Sequence, residues 1–189
     1  MGKVKSWLSY GHNKGFTIVE LLIVVVVIAI LATIVIVAYG NIQQQARDYI
    51  RQSDIKTIAK ALESYYIDNG RYPPIDNGST VINSAWSTTA DNSWVRLKDF
   101  LVPKYISALP VDPVSTKGLN PIVSTDIAYA YSYFSSRSGG NPYCNVPAGQ
   151  MYILVYRLEN NEIKTTYDGQ CTGTNISYPG LSNYRAVRG

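Results

Sequence analysis

The chain has 189 residues, with 17 Lys and Arg against 13 Asp and Glu, a single histidine and two cysteines. That length suits one globular domain with an extension. No basic stripe gathers the net charge of +4 into a nucleic-acid footprint, and one histidine without a Cys/His cluster argues against a zinc centre.

The first informative segment covers residues 14–39. It reads Lys14-Gly15-Phe16-Thr17-Ile18-Val19-Glu20, then runs from Leu21 to Tyr39 without a charge. As a helix, Leu21 to Tyr39 is about 29 Å long, close to one hydrocarbon core. A carboxylate at the head of such a run is costly in lipid, so Glu20 needs a partner or a hydrated position at the interface. A secretory signal would have a shorter apolar core and a small-residue cleavage site, and Val37-Ala38-Tyr39-Gly40 supplies a poor one. Composition alone also allows a plain single-pass anchor.

Gly15-Phe16-Thr17-Ile18-Val19-Glu20 followed by a long Val/Ile/Leu run resembles the class III signal of type IV pilins and pseudopilins, over residues 10 to about 72. The resemblance implies a leader at 1–15, a transmembrane or filament-core helix at 16–39, and an amphipathic helix half plus globular head at 40–189. A prepilin peptidase would cut between Gly15 and Phe16, Phe16 would be N-methylated, and Glu20 would serve filament assembly. The implied fold is α+β, the type IV pilin fold: a long N-terminal helix packed on a small antiparallel sheet. The implied partners are other copies of the chain, an inner-membrane assembly platform and a cytoplasmic ATPase. Lys3, Lys5 and Lys14 would hold the leader in the cytoplasm while the head is exported. The subunit would wait in the cytoplasmic membrane, then join an extracellular pilus or the cell surface. Many relatives carry a proline late in the apolar run; Val35-Ile36-Val37-Ala38 has none, and Gly40 is the first helix-weakening residue.

Cleavage would create an α-amino group on Phe16, ordinarily titrating near pH 7.7–8.0. A buried amine and a buried carboxylate are each unfavourable alone. Pairing the Phe16 amine of one subunit with Glu20 of another would offset both costs and set axial register. The competing reading keeps Glu20 hydrated at the cytoplasmic interface.

Past Gly40 the pattern turns amphipathic. Ile55, Ile58, Ala59, Leu62, Tyr65 and Tyr66 share one helix face, and Asp54, Lys56, Lys60 and Glu63 the other. Asn69-Gly70 and Tyr72-Pro73-Pro74 end the helix, which is expected from about Phe16 to Asn69. Asp48 and Asp54, interleaved with Arg47 and Arg51, read as a solvated or intersubunit charge face. Residues from Pro73 to Asn92 read as loop. A short helix is expected from Ser93 to Leu101, capped by Ser93 or Asn92, with Trp94, Leu97 and Leu101 on one face. Leu109-Pro110-Val111-Asp112-Pro113, after Tyr72-Pro73, is similar to a string in major pseudopilins.

The remainder reads as antiparallel sheet. Ile127 to Phe134 places Tyr129, Tyr131 and Tyr133 on one face, where packing is favoured over an adhesive ladder. Met151 to Leu158 is expected to form a hairpin with Glu162 to Tyr167 through Glu159-Asn160-Asn161. Thr172 to Gly189 shows no clear period. Cys144 and Cys171, both in the exported part, suggest a disulfide by their even count, worth about 3–4 kcal/mol in the chain-entropy picture. Two separate thiols are the alternative.

No enzyme is expected. His12 would leave with the leader, and no phosphate-binding glycine motif occurs; Gly139-Gly140 lacks the strand and helix around it. No metal or other cofactor is expected, with calcium at Asp112, Asp126 and Asp168 a minor alternative suggested by some pseudopilins. Asn77-Gly78-Ser79 and Asn175-Ile176-Ser177 match a glycosylation acceptor, a frequent chance pattern. The leading functional expectation is a structural subunit of a type IV pilus-like surface filament, for adhesion, motility or DNA uptake. Alternatives are the major pseudopilin of a type II secretion-like system and a surface protein that never polymerises. Without Lys3, Lys5 and Lys14 the 17 basic side chains fall to 14 against 13 acidic, which argues against DNA capture along a shaft while leaving a local patch open.

Overall fold

The computed structural model describes residues 15–74, 86–120, 122, 128–135, 146–160, 166–167 and 181–187. The chain divides into two compact units, Met1–Ile42 and Gln43–Gly189. Helix α1, Ile18–Asn69, contributes to both.

In the first unit α1 is apolar on every side. Leu21, Val24, Ile28, Leu31 and Val35 are each more than half exposed. A helix apolar all round must be covered by lipid or by protein, and among the described residues α1 alone is long and apolar enough to cross a membrane. Gly40 does not interrupt it.

In the second unit the expected face of α1 is the buried one. Ile55, Ile58, Ala59, Leu62 and Tyr65 enter the main core, while Lys56 and Lys60 stay in solvent. The helix ends where Gly70 takes a positive φ of 67°. Its amide donates to the Tyr66 carbonyl at 2.8 Å, satisfying one of the last free carbonyls. Leu62→Ala should destabilise the head by about 2–5 kcal/mol, read as a lowered thermal midpoint, because a fully enclosed site collapses poorly around the cavity.

A sheet in the order β1-β2-β3-β5-β4 receives this face. Its strands are β1 Ser87–Thr88, β2 Ser132–Phe134, β3 Met151–Arg157, β4 Thr166–Tyr167 and β5 Leu181–Val187. The central strand β3 is buried throughout. Tyr152, Leu154 and Tyr156 join Tyr131, Tyr133 and the α1 residues in one cluster. Met151, Ile153 and Val155 join Trp86 and Phe134 in a second. The alternation of strand side chains thus feeds two cores, one per face. Tyr131 and Tyr133 are buried as packing residues, as their spacing predicts.

Four expectations need correction. Among the described residues the hairpin between Met151–Leu158 and Glu162–Tyr167 is not seen: Thr166–Tyr167 pairs with β5 and not with β3. β3 pairs with β5 along its whole length, from Met151 opposite Val187 to Arg157 opposite Leu181. The Glu159 and Asn160 amides donate to Asp48 on α1 at 2.9 and 3.0 Å. Thr166–Tyr167 lies outside β5 and parallel to it, so one edge of the sheet is not antiparallel. Ser93 stands at the start of α2, Trp94–Leu101, but does not cap it with its side chain. Its hydroxyl instead accepts from Thr88 N at 2.8 Å, holding edge strand β1. That strand interrupts the region read as loop. Trp94, Leu97 and Leu101 are buried as expected.

Tyr72 closes the core beneath the end of α1. Its amide donates to the Gly149 carbonyl at 2.8 Å, and its ring centroid lies 4.8 Å from that of Tyr152. Gly149 has φ 77°, and a Cβ there would stand 2.9 Å from Arg71 Cβ. Gly149→Ala is therefore expected to lower stability by about 1–3 kcal/mol in a denaturant titration.

His12, Cys144, Cys171, Asp126, Asp168, Gly139-Gly140 and both glycosylation matches lie outside the described residues.

Candidate assembly site

Two separate polar constructions interrupt the apolar surfaces of α1, one in each unit.

The first is at its N-terminus. Thr17 N and Thr17 Oγ1 both donate to Glu20 Oε2 at 2.8 Å, and Glu20 N donates to Thr17 Oγ1 at 3.2 Å. This is a reciprocal capping box, which satisfies amide groups that the first turn leaves open. The pattern Thr17-Ile18-Val19-Glu20 was a readable signal for it that the sequence reading passed over. Oε1 makes no hydrogen bond among the described residues, so the carboxylate retains acceptor capacity. Phe16 projects into the surroundings, 89% exposed. Nothing lies within 4 Å of where a Gly15 Cβ would stand, so packing within the chain does not call for glycine there.

The second construction centres on Arg51, whose side chain is 0% exposed. Its Nε and Nη2 donate to Asp112 Oδ2 and Oδ1 at 2.8 and 3.2 Å. Its Nη1 donates to Asp48 Oδ1 and Glu159 Oε1, each at 2.8 Å. Arg47 Nε reaches the same Glu159 at 2.6 Å. The Tyr129 ring covers the guanidinium, with its centroid 4.7 Å from Cζ. Burial works against the charge on Arg51, but the hydrogen bonds to Asp112, Glu159 and Asp48 outweigh it and hold the pKa above its ordinary value.

The expected solvated or intersubunit charge face is therefore wrong for Asp48 and Arg51, which are 4% and 0% exposed. The signal that could have placed Arg51 inside was its spacing: residues 51, 55, 58 and 62 fall on one stripe. Its acidic partners at positions 112 and 159 are too distant in sequence for any local pattern to supply.

Asp112 gives the Leu109–Pro113 string a physical meaning. Beyond the Arg51 fork, its Oδ1 accepts from Val114 N at 2.9 Å and Ser115 N at 3.2 Å, closing a turn. The Pro110 carbonyl accepts from Trp94 Nε1 at 3.0 Å, tying the string to α2. Asp54 accepts from the Tyr131 hydroxyl at 2.8 Å. Burial pushes its carboxyl pKa up; the Tyr131 hydrogen bond opposes this and the Asp112 charge adds to it.

Glu159 is held below the usual carboxylate range, first by the hydrogen bond from Arg47, with burial opposing and Arg51 reinforcing. A carboxylate depressed in the folded state contributes stability above its unfolded pKa, and loses that contribution as pH falls through the folded value. Stability from Glu159 is thus complete above about pH 4.5 and fades below it. Asp54 works the other way: with its folded pKa raised, its unfavourable contribution is relieved as pH falls. Glu159→Gln should therefore lose stability at neutral pH and flatten the acid side of the profile, checked by denaturant midpoints across pH 3 to 7.

Two family models match the chain. One, the prokaryotic N-terminal methylation motif, covers residues 11–36. The other, type II secretion system protein G, covers residues 39–118. The type II secretion system core protein G of Pseudomonas aeruginosa is 33% identical over 103 residues, 54% of this chain and 68% of that relative. The chain belongs to the pilin and pseudopilin family. The protein of the same name from Pectobacterium carotovorum is 30% identical over 119 residues, 60% of this chain and 73% of the relative. That from Klebsiella michiganensis is 31% identical over 131 residues, 69% of this chain and 87% of the relative. No solved structure matches. Arg51 and Asp112 fall inside the protein G match, while β2, β3, β4 and β5 lie beyond residue 118.

Proposed function

We propose that the chain is the pseudopilin of a type II secretion-like system, a structural subunit built to polymerise. The observation that carries this reading is the two family matches lying in sequence order, with secretion core proteins as the relatives. They favour the secretion reading over a surface pilus for adhesion, motility or DNA uptake. In this reading a prepilin peptidase cuts between Gly15 and Phe16 and Phe16 is methylated. The subunit waits in the cytoplasmic membrane, with the head on the outer side. An assembly platform and its ATPase then pass it into a short filament spanning the envelope.

The apolar first unit supports the polymerisation step. Among the described residues it offers no internal partner for Val24, Ile28 or Leu31, so these side chains exchange lipid for neighbouring helices without loss of apolar cover. Glu20, with Oε1 open, has capacity to accept the Phe16 amine of another copy. A Cys144–Cys171 bridge remains part of the proposal, formed after export into an oxidising compartment.

Electron microscopy of sheared cell-surface material together with isolated envelopes tests the choice. Short fibres retained in the envelope, with export of a secreted enzyme lost on deletion, are expected. Long surface pili would overturn the secretion reading, and absence of any fibre would overturn polymerisation.

A further inference from the structure

Four large apolar side chains of the second unit stand in solvent beside the Arg51–Asp112 pair. Tyr49 is 71% exposed, Ile50 47%, Val111 54% and Val114 47%. Ile50 precedes Arg51, Val111 and Val114 flank Asp112, and the forked ion pair brings the two segments together. Asp54 lies one turn on from Ile50, close enough to Asp112 for their charges to repel. The 109–115 strap therefore runs beside the helix edge that Ile50 and Asp54 share. Pro110 and Pro113 restrict two of its φ angles. The Pro110 carbonyl is tied to Trp94 Nε1, and Asp112 Oδ1 accepts from Val114 N and Ser115 N. Single exposed valines are ordinary on a protein surface. Here two β-branched side chains on a fixed backbone adjoin an exposed isoleucine and tyrosine, an apolar surface that loses little freedom on binding. Asp112, the acid between the valines, is 1% exposed and paired, so no bare charge separates them.

We propose that Tyr49, Ile50, Val111 and Val114 form a docking surface for the apolar stretch of α1, about residues 24–36, of a second copy. This rests on the polymerisation step of the assembly reading above. The occupant follows from what needs cover. Leu21 to Ile36 are exposed throughout, and once out of lipid they require apolar surface supplied by other copies. The surface also continues the apolar run along one helix: α1 carries no charge between Glu20 and Arg47, and Tyr49 and Ile50 follow directly. With parallel helices, Ile50 of one copy stands beside Leu31 of another at an offset of about 19 residues, roughly 29 Å. The occupant is thus a copy further along the filament than the one whose Phe16 amine meets Glu20.

Photo-cross-linking of the full chain in cells tests the surface. The photoreactive residue p-benzoylphenylalanine replaces Val114, or, as a control, Val95, which is 54% exposed on α2. Adducts are digested and mapped by mass spectrometry. Position 114 is expected to join a second copy within residues 24–36, and position 95 is not. Val111→Thr with Val114→Thr gives an independent readout, since threonine keeps the branched shape and removes the apolar contact. The melting point in detergent should hold, while filament yield in envelope fractions should fall about tenfold. Val111→Ile with Val114→Ile should keep the wild-type yield. Adducts only to lipid, to another protein or to the head of a second copy would overturn the surface. So would the absence of adducts in cells that hold filaments, or a wild-type yield from the threonine variant. A lowered melting point in that variant would overturn it as well, by placing the valines within the fold. If the wild type forms no filament, the assembly reading fails. The adduct from position 114 to residues 24–36 then still upholds the surface, and its absence refutes it.

Discussion

Asp112→Ala is expected to cost the head about 3–5 kcal/mol, because it leaves the Arg51 guanidinium buried without its forked partner. The loss is larger than a surface ion pair could give, for which about 0–1 kcal/mol is usual. Asp112 also accepts two backbone amides, so alanine unties the turn at Val114 and Ser115 as well. Denaturant unfolding of the full chain reads the difference. Adding Arg51→Met removes the other charge of this pair but leaves Asp48 and Glu159 with Arg47 as their cation in the cluster, so only part of the loss should return. An unchanged midpoint for Asp112→Ala would show that the socket contributes nothing to the fold.

The second large effect concerns assembly. Glu20→Ala should leave peptidase processing intact and reduce filament yield by about a hundredfold or more, as expected when one partner of a buried charge pair is lost. Among the described residues Glu20 has only Thr17 as a partner, and the side chain is exposed. Its removal therefore takes away a local cap but nothing from the core of the head, so the melting point should hold. Glu20→Gln separates capping from charge: the amide can still accept from Thr17 yet cannot neutralise an amine. Filaments from Glu20→Gln at wild-type yield would leave the cap, not the charge, as the requirement. Quantitative immunoblotting of cross-linked envelope fractions, with whole-cell levels as reference, measures both variants.

Much of this architecture could be read from local patterns. The burial of Ile55, Ile58 and Leu62 follows from helical spacing, and the stop at Gly70 from a residue free to adopt positive φ. The Trp94–Leu97–Leu101 face was visible for the same reason. Sheet order was not. Leu181–Val187 carries Asn183 and Arg185 within its seven residues and shows no clean alternation, yet it pairs with all of β3. Its place is set by long-range pairing that no local pattern supplies: β3 takes β5 as its partner along its whole length. The Arg51 socket was half legible. The stripe position of Arg51 pointed inward, but charges that look solvated in sequence become buried only when partners about 61 and 108 residues away converge.

One measurement addresses the central claim most directly: intact-mass and N-terminal peptide spectrometry of the chain recovered from the membrane of cells that contain a prepilin peptidase. The account predicts a polypeptide that begins at Phe16 and carries one added methyl group on its α-amine. A chain that retains Met1 through Gly15, or begins elsewhere with an unmodified terminus, would contradict it.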